Sequence, residues 1–250
     1  MVVLPLSALL QHGLRGGPRV LWNDITNPIA FAALKLTLMT AVVMTVINAV
    51  MGTLTAYVLV RYRFIGSKLL NSLIDLPFAV PTLVTGVMLV ALYGPSSTLG
   101  AILGHHGLPI IYQQPGIVLA LLFVSYPFVV RSVQPVLIEM DRVEEEAAAT
   151  LGAGAWQTFW RVTLPTLRPA VLTGCALSFS RALGEFGSVV MVAGNRPLAT
   201  KTAPIHIYGE IESGNVPGAI AVSLVLLAGS LGVLVVMNRL QHAGGPGHGR

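Results

Sequence analysis

Ser178, Arg181, Glu185 and Ser188 interrupt an otherwise apolar run, spaced three, four and three residues apart. At 3.6 residues per turn these side chains fall within roughly 80° of one another on a helix. A guanidinium and two hydroxyls are hydrogen-bond donors suited to an anion. An ionised side chain deep in a bilayer costs about 2.5–3.5 kcal/mol on insertion scales, so such groups face a bundle interior or a water-filled path. On one reading Arg181 and the serines line an anion route, with Glu185 holding or screening Arg181. On the other, Arg181 and Glu185 form an i, i+4 pair that cancels its own charge and fixes helix packing. Gly174 lies on the same face, and Gly184 and Gly187 flank Glu185, so another helix or a substrate can approach closely.

A second constellation is polar and helix-prone. From Glu146 to Pro165 the chain reads EAAATLGAGAWQTFWRVTLP: Glu146-Ala147-Ala148, three residues, Gly152, nine residues, then Val162, Leu164 and Pro165. Asp141 with Glu144 three residues later predicts a variant of the capping box, and the acidic run Glu144, Glu145, Glu146 suits a helix N-terminus near Arg142. Gly152 and Gly154 loosen that helix at about 1 kcal/mol each relative to Ala. A second helix resumes over 156–161, and Leu164-Pro165 is predicted to end it. The expected shape is a bent helix pair outside the membrane. By itself such a stretch also suits a solvated amphipathic loop that merely joins two spans.

These groups need elements to hold them. The 250 residues are 54% hydrophobic and 10% charged, with a mean hydropathy of +0.76, outside the range of soluble globular domains. The composition predicts an all-α polytopic membrane protein in a single domain, because an uncovered sheet edge cannot exist in lipid. Residues 29–60, 69–93, 110–130, 169–192 and 216–237 are long enough to span, giving five transmembrane helices. The apolar residues 1–10 are too few to cross and carry no basic lead; they suit either the outer end of a sixth span whose start is cut short or a short interfacial segment. Basic residues set the orientation. Arg61, Arg63, Lys68, Arg131, Arg142, Arg161, Arg168, Arg239 and Arg250 fall on the cytoplasmic side, leaving Arg15, Arg19, Arg196 and Lys201 outside. The C-terminus and residues 139–165 are then cytoplasmic, and residues 195–216 external. In that outer loop Thr202 precedes Ala203-Pro204, with Ile205, Tyr208, Ile211 and Glu212 at helical spacing, which predicts a short amphipathic helix on the outer surface. The glycine-rich residues 243–250 read as a disordered tail.

Lesser polar groups have plainer readings. Lys35 and Asp75 lie within two turns of a membrane boundary, where a long chain snorkels and a carboxylate finds water. Pro77, Pro81 and Pro127 should bend their helices and leave carbonyls for neighbours to satisfy. Cys175, the single cysteine, lies in a span and has no intrachain partner. His105 and His106 are adjacent, share no helical face and have no third ligand near them, so they read as a solvated loop rather than a metal site. The net charge of +5 sits in short loops, as topology demands, and does not indicate nucleic acid. No GxxxxGK[ST] phosphate loop occurs, and no nucleophile and base converge as a hydrolase needs.

The 146–165 pattern resembles the EAA signature of ATP-binding-cassette importer permeases, with Val162 where that family has Ile. Further stretches are DLPFAVPT from Asp75, YPFVVRSVQPVL from Tyr126, SRALGEFGSVVMVAGN from Ser180 and Asn238-Arg239-Leu240. With the loop, they make residues 21–241 similar to the sulfate/thiosulfate permease subunits of that family. RALGEFG followed by AGN is shared with molybdate and tungstate permeases, whereas FVVRSVQPVL and the expected extra N-terminal helix favour sulfate. The resemblance implies a type I importer transmembrane domain in the cytoplasmic membrane. This subunit is then itself non-catalytic and carries no cofactor, ATP and Mg²⁺ residing on a partner ATPase dimer. It also implies a second similar permease or a copy of this chain, and an external binding protein docking near the outer helix. Glu146, Ala147, Ala148, Gly152, Val162, Leu164 and Pro165 would seat the loop in the ATPase. Ser178, Arg181, Glu185 and Ser188 would border the path. An ion-driven anion transporter is the alternative from another class; it would need neither the loop nor the ATPase.

Overall fold

The computed structural model describes residues 3–15 and 17–244, and every regular element among them is helical. In chain order these are α1 (Val3–Arg15), α2 (Gly17–Thr26), α3 (Pro28–Arg61), α4 (Ser67–Ile74), α5 (Leu76–Ala79), α6 (Thr82–Tyr93), α7 (Thr98–His105) and α8 (Gln114–Glu139). There follow α9 (Val143–Thr150), α10 (Ala155–Thr158), a π turn (Phe159–Thr163), α11 (Leu164–Leu183), α12 (Gly187–Ala193), α13 (Ala203–Glu212) and α14 (Val216–Gly244). Helix α14 takes in Ala243 and Gly244 of the predicted disordered tail; residues 245–250 of that tail lie outside the described residues.

Three of the five predicted spans, α3, α8 and α14, are uninterrupted helices long and apolar enough to cross a bilayer. The other two are not the single helices predicted. Residues 67–93 turn through 115° between α5 and α6, and residues 155–193 turn through 63° between α11 and α12. At the first break Pro81 is the cause anticipated: Val80 is extended, as a residue before proline must be, and Pro81 then caps α6. The second break, at Gly184–Phe186, was not anticipated. Pro127, expected to bend its helix, lies inside α8, which runs on through it and Pro135.

Helix α8 is the centre of the bundle, flanked by α3 and α11. Both neighbours present a glycine to the same residue. A Cβ on Gly52 would stand 2.9 Å from Val129 Cβ, and one on Gly174 would stand 2.7 Å from Val129 Cα and 3.2 Å from the Phe128 carbonyl. Close backbone approach through small residues substitutes here for the hydrophobic drive that lipid removes. One layer further along, Asn48 Nδ2 donates to Ser178 Oγ at 3.2 Å, and Ser178 Oγ donates to the Ser125 carbonyl at 3.2 Å, tying all three helices with buried polar groups.

Three further findings bear on the expectations. Helix α1 continues past Leu10 to Arg15 and packs on α14, where a Cβ on Gly13 would strike Leu224 and Ile220; its 13 residues are too short to span. Helix α13 forms as predicted, but of the apolar stripe only Ile205 lies on its buried face. Ala203, Ile205 and His206 are buried, the first against Ala30, Leu34 and Val222, while Tyr208 and Ile211 stay exposed. Burial pushes the His206 imidazole below its ordinary pKa. Asp75 keeps 48% of its side chain exposed and is held as well: Arg131 of α8 grips it at the joint of α4 and α5, Nε donating to Oδ1 at 2.7 Å and Nη2 to Oδ2.

Gly174→Leu is expected to destabilise the protein by about 1–3 kcal/mol, because no backbone at Val129 can yield to the added side chain. Gly229→Ala in α14, where a Cβ meets nothing within 4 Å, should cost nothing and can add up to about 1 kcal/mol through helix propensity. Thermal unfolding of both variants in detergent checks the contrast.

Candidate functional site

The 139–165 segment folds as two short helices around a fixed corner. Asp141 Oδ1 accepts from the Val143 N–H at 3.1 Å, an i to i+2 contact in place of the predicted capping box. Helix α9 then carries Glu144, Glu145 and Glu146 in its first turn, where free N–H groups favour negative charge. It ends in a Schellman motif. The Ala153 N–H donates to the Ala148 carbonyl at 3.0 Å, the Gly152 N–H donates to the Ala149 carbonyl at 3.0 Å, and Gly152 has φ +86°. A Cβ there would meet nothing within 4 Å, so the need for glycine is one of backbone conformation alone. The bent pair expected from the sequence is present, and Gly152 makes its bend.

The second arm departs from expectation. Leu164-Pro165 does not end the helix; the chain stays helical from Ala155 to Leu183 by widening into the π turn, in which the Leu164 N–H reaches back to the Phe159 carbonyl. Proline has no N–H for the usual bond and its ring crowds the carbonyl four residues earlier. A wider turn just before Pro165 relieves that crowding.

Glu145, read from the sequence only as one of three N-terminal acids, anchors the corner. Its Oε2 lies 3.2 Å from Arg61 Nε, and its Oε1 accepts from Arg61 Nη2 at 3.2 Å and from Thr163 Oγ1 at 2.9 Å. Three elements meet on this carboxylate: the last turn of α3, the first turn of α9 and the π turn. Tyr57 of α3 adds an edge-to-face contact with Phe159, ring centroids 5.3 Å apart. Of the motif residues, Val162, Leu164 and Pro165 are half-buried toward the bundle, Ala148 is half-buried, and Glu146, Ala147 and Gly152 are exposed. Beside them Leu151 is 88% and Trp156 70% exposed, so the corner presents an apolar surface framed by acid. No local pattern marks Glu145, because its partner is 84 residues away.

The polar stripe is divided by the second break. Ser178 is in α11, Arg181 in its last turn, Glu185 in the break and Ser188 in α12, so the four do not share one helical face as predicted. The structure brings three together. Glu185 Oε2 lies 2.7 Å from Arg181 Nη1, while its Oε1 accepts from the Ser188 N–H and from Ser188 Oγ, both at 2.9 Å. Ser178 is committed elsewhere, to Asn48 and the Ser125 carbonyl. The Glu185 side chain is 2% exposed, whereas Arg181 keeps 35% of its side chain exposed. The carboxylate thus neutralises the arginine on one oxygen and caps a half-helix with the other. Lys35 is exposed on α3, and His105 and His106 are exposed around the C-terminal end of α7.

Glu145→Ala and Arg61→Ala should each destabilise the protein by about 1–3 kcal/mol, the cost of leaving a largely buried partner unmet. The double variant should cost clearly less than the two together. A double-mutant cycle by thermal denaturation measures this; additive losses would mean that the two do not act as a pair.

Comparison with known proteins places this geometry. The chain is 45% identical over 241 residues to the sulfate transport system permease protein CysT of Escherichia coli (strain K12), covering 96% of this chain and 87% of that protein. It is 43% identical over 244 residues to the protein of the same name from Synechocystis sp., covering 98% and 85%. A crystal structure of a bacterial alginate ABC transporter, in complex with an alginate pentasaccharide-bound periplasmic protein, contains a chain of the same fold. It superposes with a TM-score of 0.79 over 96% of this chain and 88% of that one, at 17% identity. Residues 48–243 match the inner membrane component of binding-protein-dependent transport systems, and the chain belongs to that family.

Proposed function

We propose that this chain is the non-catalytic permease subunit of an ATP-driven importer that carries sulfate or thiosulfate across the cytoplasmic membrane, with its C-terminus in the cytoplasm. The observation that carries the substrate is the likeness to sulfate permeases across nearly the whole chain. The mechanism rests on the geometry of the corner and the break.

A sulfate-like dianion is strongly hydrated, and moving isolated charge into low dielectric is prohibitive. It has to be passed on by a protein that has already replaced its water with hydrogen-bond donors. An external binding subunit fills that role. It docks beside α13, where Tyr208 and Ile211 are exposed. A partner ATPase dimer binds and hydrolyses ATP with Mg²⁺, and receives the corner formed by Glu146, Ala147, Ala148 and Gly152. The rigid Schellman bend and the Glu145 anchor suit this task, because a floppy corner would absorb the stroke. The path runs between this chain and a second similar permease, or a copy of itself. Arg181 faces that path with its exposed third, and Glu185 sets how much of its positive charge the anion meets. Ser178 and Ser188, both buried, stiffen the wall instead of touching the anion.

Cells lacking this chain and complemented with it should regain energy-dependent uptake of radiolabelled sulfate, inhibited by thiosulfate and not by modest molybdate. Restoration of molybdate uptake alone would overturn the substrate and keep the architecture; uptake by the purified chain without an ATPase would favour the ion-driven alternative. Gly152→Val, a β-branched residue at φ +86°, should abolish uptake while the chain remains inserted, and Gly154→Ala, at an extended position, should not. Normal uptake by an assembled Gly152→Val complex would sink the coupling role.

A further inference from the structure

Arg131 is a cation beside a broken span of a proposed anion transporter, yet every donor it has is already used. Nε donates to Asp75 Oδ1 at 2.7 Å; Nη1 donates to Asn71 Oδ1 at 3.0 Å and to Gln134 Oε1 at 2.6 Å; Nη2 donates to the Asn71 carbonyl at 2.8 Å and to Asp75 Oδ2. A guanidinium has five N–H donors in a planar fork, so nothing remains for a ligand. The acceptors are those a broken helix leaves over. Asp75 is at once the last cap of α4 and the first of α5. In an unbroken helix its N–H would bond to the Asn71 carbonyl; here it turns to Ser72 at 3.1 Å, and Arg131 takes the freed oxygen. Gln134 Nε2 completes the cluster by donating to Asn71 Oδ1 at 3.0 Å, and Phe78 of α5 meets Phe128 of α8 edge to face at 5.3 Å.

What this joint fixes extends beyond itself. Five residues after Asp75 the chain turns through 115° into α6, and α6 lies directly against α12. A Cβ on Gly86 of α6 would stand 2.7 Å from Met191 Cβ and 2.8 Å from the Ser188 carbonyl, and one on Gly187 would strike Thr82 and the Leu83 N–H. The two half-helices that follow the two breaks therefore press together, each laying a glycine against a residue of the other. Ser188 is also the residue whose N–H and hydroxyl hold Glu185 against Arg181.

We propose that Arg131 is a positioning residue: by pinning the α4–α5 joint to α8 it sets the placement of α6, through α6 that of α12, and so the Arg181–Glu185 pair. It does not contact the transported anion. The two sequence stretches that contain Asp75 and Arg131 are drawn together by this pin, which gives them a shared role. The uptake part of the test rests on the transport reading above; the labelling part does not.

The discriminating variant is Arg131→Lys. A cation that attracts or contacts the anion would be replaced well by lysine, whereas an ammonium with three donors and no planar fork cannot reproduce the five bonds. In a Cys175→Ser background, a single cysteine is placed at Met191 on α12, or as a control at Val216 on α14, in the full chain with its partners in membranes. With Arg131→Lys, and with Arg131→Ala, maleimide labelling at position 191 should accelerate several-fold while labelling at 216 is unchanged. Sulfate uptake, scaled to inserted protein, should lose more than tenfold in Vmax with KM within twofold. Labelling at 191 at the parent rate, or a Lys variant that keeps Vmax and raises KM, would overturn the proposal. Coupling through packed elements needs this kind of direct evidence. If neither Arg131 variant inserts, Asp75→Asn decides: it keeps an acceptor but loses the charge, and unchanged labelling at 191 overturns the pin. A parent chain that supports no sulfate uptake would defeat the transport reading and leave the labelling result to stand by itself.

Discussion

Hydrocarbon offers a broken helix no hydrogen bonds, and this constraint governs which residues in the chain are polar. Two spans are broken, and each break frees backbone groups that water would satisfy elsewhere. In the first span the loose carbonyl is that of Asn71, freed at the α4–α5 joint ahead of the 115° turn, and a guanidinium from α8 takes it. At the second, the carboxylate of Glu185 takes the loose N–H of Ser188. Each of these side chains is charged, so each brings a counter-ion, Asp75 for Arg131 and Arg181 for Glu185. The ion pairs are in this sense consequences of the breaks. Removing Arg131 or Glu185 would leave both an orphaned backbone group and an uncompensated charge, and removing Asp75 or Arg181 would leave the charge alone.

The same logic divides what could be foreseen from the residues and what could not. Helices α3, α8 and α14 follow from length and apolarity, and Pro81 announces the first break through a rule about its own neighbour. Gly152 was recognisable by position and owes its place to a left-handed backbone. The second break carries no proline. Gly184 and Gly187 were its only local signs and suit close packing equally well, and a stripe at helical spacing looked continuous across a turn of 63°. The π turn at Phe159–Thr163 was equally silent, since Pro165 predicts a disturbance without saying whether the helix stops or widens. The ion pairs of Glu145 and Asp75 were hidden for another reason. Their partners are 84 and 56 residues away, and only the packing of α3, α8 and α9 brings them within reach.

Small residues do the complementary work. Gly52 and Gly174 both close on Val129, and Gly86 and Gly187 close α6 on α12. Where lipid provides no drive to exclude apolar surface, backbones that approach this closely gain dispersion contacts and carry displacement without slack.

The unbroken run from Ala155 to Leu183 gives that last point a quantitative form. The widened turn keeps it one rod, crossing α8 at Gly174 where the backbones touch. At 1.5 Å per residue, Trp156 is about 27 Å from that crossing on one side and Arg181 about 11 Å on the other. A rod rocking there is a lever with arms in a ratio of roughly five to two. A displacement of several ångströms at the tryptophan end would arrive at the arginine reduced to two or three and reversed in direction, in exchange for greater force.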